Sequence, residues 1–91
     1  KRGMVMTGML VRSGAGHDRD RLYLVVREEG DMLWLADGTI RPLQKPKKKR
    51  RKHVRHEGQG FSREEVEHFF QNLAWADNQI RERIGMAEKM R

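Results

Sequence analysis

The sequence contains no cysteine, only two prolines and no apolar run approaching the length of a bilayer-spanning helix. Without cysteine there is no disulfide scaffold, no thiol nucleophile and no cysteine-based zinc site. The same absence accords with a reducing compartment, so a cytoplasmic location is expected, with no membrane partner. No continuous apolar segment of the signal-peptide kind follows Lys1 and Arg2. Apolar residues make up 36% of the 91 positions and charged residues another 36%, which supports one small domain with a thin core.

What the chain holds in excess is positive charge, and that charge is concentrated. Residues 45–56 read K-P-K-K-K-R-R-K-H-V-R-H, with eight Lys or Arg, two His and no acid. The whole chain carries 20 Lys and Arg against 13 Asp and Glu, a net charge of +7, so the balance outside this run is 12 against 13. A block of this kind repels itself until an anion neutralises it. Nucleic-acid phosphate is the commonest such anion, because neutralising it releases condensed counterions. A solvated tail, a localisation signal and an anionic membrane surface accept the same composition. Pro46 and the unbroken charge argue against a helix, and no apolar residue interleaves before Val54.

Around this run the chain reads in short pieces. Residues 4–12 predict a strand weakened at Gly8, and residues 13–21 are a loop rich in small and charged side chains. Residues 22–27 and 32–36 are rich in β-branched, aromatic and leucine side chains and predict a hairpin closed at 29–31. Asp37-Gly38 is a two-residue hairpin signal, with residues 39–43 expected to return as another strand. Several short strands on tight turns predict a small, strongly bent antiparallel barrel. The basic run leaves it directly, with residues 52–56 as a candidate edge strand.

Residues 57–60 read as a flexible break. Ser62 and Glu65 then form a capping box, with Phe61 placed to pack on Val66. The proline-free stretch from Arg63 to about Met90 reads as one helix roughly 40 Å long. Val66, Phe69, Phe70, Leu73, Ile80, Ile84 and Ala87 share one face of it. Asp77 falls within that face, and Trp75 lies nearly opposite, with Met86 beside it. A helix of this length is expected to extend past the barrel's own core. The fold class is thus mainly β with an α appendage: a small barrel over 4–44, a basic extension and linker over 45–60, and an amphipathic C-terminal helix over 61–91.

No catalytic constellation stands out. His53 and His56 have a chelating spacing, but zinc takes four ligands and a dication is disfavoured among eight cations, so no metal is expected. Gly14-Ala15-Gly16 lacks the Lys-Ser/Thr of a phosphate-binding loop, and no Ser/His/Asp motif is present. Neither an enzyme nor a cofactor is expected. Tyr23 and Trp34 are the only aromatics in residues 4–44, with no pair of them along one strand face. Recognition of RNA shape and backbone, rather than of base sequence, is the corresponding expectation.

With that order in place, residues 10–26 (L-V-R-S-G-A-G-H-D-R-D-R-L-Y-L-V-V) resemble a KOW motif. The Asp-Gly turn and K-P-K-K-K run within residues 35–53 strengthen the match. Over residues 6–56 the chain is similar to small bacterial KOW-domain RNA-binding proteins, which are similar in turn to eukaryotic-type large-subunit ribosomal proteins. The resemblance implies an SH3-like β-barrel that binds RNA, chiefly ribosomal RNA, with a turn from Gly14 through Arg19 close to phosphate. The family commonly has a glycine where Asp20 stands, and Arg or Lys where His17 stands. It implies RNA contacts from Gly14, Gly16, His17 and Arg19 of that turn, and Arg12, Arg21 and Arg41 are expected to extend the surface. These join Lys45, Lys47, Lys48, Lys49, Arg50, Arg51, Lys52, His53, Arg55 and His56 of the basic run. The helix lies outside the resemblance. Its Phe69, Phe70 and Trp75 are candidate partner-binding residues, for ribosomal proteins or for a transcription or translation factor. A protein-interaction module is therefore the alternative reading, and nonspecific DNA binding a third.

Overall fold

β2 (Leu22–Glu29) opens with five apolar residues in succession, and such a strand has to be covered on both faces. In the computed structural model of the chain, which describes residues 4–14 and 20–90, it is. β2 is the centre of a five-stranded antiparallel sheet in the order β4-β3-β2-β1-β5, formed with β1 (Met9–Ser13), β3 (Met32–Ala36), β4 (Lys47–Arg50) and β5 (Val54–Gln59). On one face Leu10, Leu22, Leu24, Val26 and Ala36 meet Val66, Phe69, Ala76 and Ile80 of two helices, α1 (Arg63–Phe69) and α2 (Leu73–Lys89). On the other face Val11, Tyr23, Val25, Leu33 and Leu35 close over Val5, with Val54 against them. The sheet is open, but it curls until its two edge strands are joined by a single 3-10 turn, Arg51–His53.

The expected β2–β3 hairpin is present, with Glu29 opposite Met32 and Gly30-Asp31 as its turn. Three other expectations are corrected. Residues 39–43 do not return as a strand, because Asp37 captures the chain instead. Its Oδ1 accepts the N–H groups of Thr39 and Arg41 at 2.9 and 2.8 Å, and its own N–H donates to the Arg41 carbonyl. A side chain that offers the backbone local partners removes the need for a ladder.

The basic run, second, is no extension. Residues 47–50 pair with β3 and residues 54–59 with β1, so the run supplies both edges of the sheet.

The single long helix, third, is two. α1 stops at Phe70, and Asn72 starts α2 by accepting the Trp75 N–H on its side chain. A polar cap within the helical stretch ends one helix and begins the next. The break lets the apolar stripe fold back on the sheet, so it does not extend past its core. The molecule measures only 30 × 29 × 23 Å.

The Ser62/Glu65 capping box forms as expected, while the ring of Phe61 packs edge-on against Phe69 at 4.9 Å. Asp77, the polar interruption in the apolar face, accepts the Leu43 N–H at 2.8 Å, and Arg81 donates to the Gly38 carbonyl at 2.8 Å. These two residues of α2 hold the loop that leads into the basic run. Among the described residues, no helix is long and apolar enough to cross a membrane.

Candidate nucleic-acid interface

Strand alternation divides the basic run. Opposite residues of neighbouring strands point to the same face, so Lys47 and Lys49, paired with Leu35 and Leu33, point to the side of the Val11–Tyr23–Leu33 cluster. Both are half-buried, and burial, with Lys49 beside it, lowers the pKa of Lys47. Lys48 and Arg50 point to the helix side and are exposed. Lys45, Lys52, His53, Arg55 and His56 are exposed as well.

A bulge between Val25 and Arg27 of β2 brings Arg27 opposite Trp34, which faces Lys48 in turn. The Arg27 guanidinium carbon lies 4.5 Å from the indole centroid and the Lys48 ammonium 5.5 Å, so one ring holds two cations in a row across three strands.

Two arginines expected at the interface are structural. Arg12 is 1% exposed. It donates to the Asp20 carbonyl at 2.6 Å and to Glu88 of α2 at 3.3 Å, and its Nε lies 3.2 Å from Glu57 of β5 outside hydrogen-bonding geometry. Burial disfavours its charge, but the hydrogen bonds to Glu88 and the charges of Glu88 and Glu57 prevail and raise its pKa. The expectation of an RNA contact at Arg12 is therefore corrected: the side chain ties sheet to helix. Arg51 likewise turns inward, donating to the carbonyls of Gly30 and Val5 and to Glu28.

Glu28 is the anchor for that second arginine. It accepts the Thr7 N–H at 2.9 Å, Arg63 at 2.6 Å and Arg51 at 3.2 Å. Burial alone drives its pKa up, yet these donors outweigh burial and hold it at about 2. A carboxylate whose folded pKa lies below its unfolded value of 4.5 stabilises the fold above that pH, and the contribution is lost as pH falls toward about 2. That difference corresponds to on the order of 3 kcal/mol. Glu28→Gln is expected to lose most of this at pH 7, and urea melts of variant and parent should converge near pH 2. A parallel offset at both pH values would refute the assignment.

Gly14 donates its N–H to the His53 carbonyl at 2.7 Å, joining the residue after β1 to the 3-10 turn. Arg21 and Arg41 are exposed, Arg21 lying 3.6 Å from Asp37. Gly16, His17 and Arg19 lie outside the described residues. Asp20 has φ +69 and sits 3.6 Å from Arg55.

Of the candidate partner-binding residues, Phe69 is corrected: at 2% exposure it belongs to the core. Phe70 and Trp75 stay about half exposed, Trp75 resting edge-on against Phe69. Sequence reasoning passed over Arg27, whose approach to Trp34 depends on a bulge that no local pattern announces. Compared with known proteins, the chain matches no family model, and no curated protein matches it.

Proposed function

We propose that this chain is a non-catalytic, cytoplasmic RNA-binding module of the KOW type, acting on ribosomal RNA as a ribosomal or ribosome-associated protein. The observation that carries the reading is the placement of charge. Lys48, Arg50, Lys52, His53 and Arg55 are exposed along two sheet edges and the turn joining them, with Lys45 exposed just before β4 and the Gly14 N–H bonded to that turn. A rigid edge of this kind follows a phosphate backbone without reading bases. The strand order, with a 3-10 turn between β4 and β5, supports an open SH3-like barrel. Asp20 supports the register of the resemblance, since it adopts a left-handed conformation where the family commonly has glycine.

The test is gradient sedimentation of lysate together with direct titration of folded rRNA and duplex DNA. Co-migration with large subunits in moderate salt, and tighter binding to folded RNA, are the expected results. Equal affinity for both nucleic acids, or release by slight added salt, would replace this reading with nonspecific binding.

Trp75 and Met86, 47% and 61% exposed on α2, favour a second reading in which the helices dock a protein. Under that reading Trp75→Ser abolishes association in cells while RNA affinity stays unchanged.

A further inference from the structure

The break between α1 and α2 leaves Phe70 beside the outer face of the sheet, and a cleft of about 790 Å³ opens there. Its walls come from three places: Arg27 and Trp34 of the sheet, Arg41 and Lys45 of the loop before β4, and Phe70 with Leu73 of the helix junction. Among the described residues, no carboxylate lines it. Phe70 is 51% exposed, and among the described residues no aromatic ring stacks on it. Apolar and aromatic surface thus stands next to three cations, in a space the size of a small-ligand site.

This pairing has a chemical meaning. A flat face beside Arg and Lys side chains suits a ligand that is aromatic at one end and anionic at the other. A nucleotide is such a ligand, its base stacking on an aromatic ring while its phosphate is neutralised. A base paired within a helix cannot reach a ring in a cleft, so the nucleotide has to be unpaired. Arg27 also lies 3.3 Å from Glu29, in an exposed pair of the weak kind that a phosphate displaces.

We propose that the Trp34–Phe70 cleft receives one unpaired nucleotide of the bound nucleic acid, its base against Phe70 and the indole edge and its phosphate between Arg41 and Lys45. The inference rests on the RNA-binding reading and adds to it a preference for sites where a paired helix meets an unpaired base. The cations along the sheet edges hold the paired backbone, and the cleft holds the base beside it.

The test compares Phe70→Ala with the parent chain on three probes at one salt concentration: octauridylate, octathymidylate and a fully paired RNA duplex. Phe70 is half exposed, so the variant is expected to keep its fold, which a urea melt checks. Phe70→Ala should weaken octauridylate binding roughly tenfold or more and leave duplex binding within about twofold. In a Trp75→Phe background, the remaining Trp34 emission should be quenched by octauridylate and not by the duplex. Equal binding of the two single strands supports the cleft as a base-and-phosphate site indifferent to the sugar, whereas a preference for octauridylate supports one that also reads the 2′-hydroxyl. Equal weakening on octauridylate and duplex, or none on either, would overturn the cleft while leaving the edge interface standing. Failure of the parent to bind any RNA would overturn both.

Discussion

Replacing Lys45, Lys48 and Lys52 together by Ala is expected to weaken binding to folded RNA by roughly a hundredfold in dilute salt, with the loss shrinking as salt is added. These three side chains are exposed, and none is buried in the core. Each phosphate contact adds about 0.7 to 0.9 to the slope of log affinity against log salt, so removing three should flatten it by about two to three. The loss should be much the same across RNA sequences, since phosphate contacts carry no sequence information. Arg51→Ala is the informative contrast. Its guanidinium serves Gly30, Val5 and Glu28, so that variant should lose stability and keep its salt slope. An unchanged slope in the triple variant would remove the basic edge from the interface.

A large effect on stability is expected at Gly38. Its φ is +83, and a Cβ there would stand 2.4 Å from the Asp77 carbonyl oxygen and 3.0 Å from the Arg81 nitrogen. The backbone conformation alone costs an alanine about 1 to 2 kcal/mol. The clash is with helix backbone, so α2 or the loop has to move. Either shift strains the bonds from Leu43 to Asp77 and from Arg81 to Gly38, at about 1 kcal/mol each. Gly38→Ala should therefore cost about 3 to 4 kcal/mol in a urea melt. Gly30→Ala is the control, also at positive φ but with nothing within 4 Å, and should cost only the conformational part. Equal losses at the two positions would mean that α2 yields freely.

Local signals in the sequence were reliable where the chain answers to its neighbours. The β2–β3 hairpin follows from apolar runs flanking Gly30-Asp31, and the Ser62/Glu65 cap follows from spacing alone. The mixed fold, a small antiparallel sheet with a helical appendage, was legible for the same reason. The errors arise where distant residues decide. Lys47–Arg50 has no strand-like composition, and it becomes a strand because β3 offers it a ladder and Trp34 a seat for Lys48. Arg12 looked like a surface cation, but Glu57 and Glu88, far along the chain, enclose it. The concentration of charge in the run was legible from composition alone. Which of its cations face outward depends on register, which composition does not contain.

The placement of the basic run on both edges of the sheet has a consequence for the free protein. An uncovered edge strand is a template on which another copy can add its own strand, and lysine along the edge is a common protection against this. Here β4 and the start of β5 set Lys and Arg against the matching Lys and Arg of any incoming copy. Unbound chains are thereby kept apart by the residues proposed to grip phosphate. A polyanion that neutralises them removes the barrier as it binds, so the chain's solubility and its occupancy are governed by the same charges. Excess protein without RNA should stay dispersed, while protein crowded on RNA at low salt should be the first to self-associate.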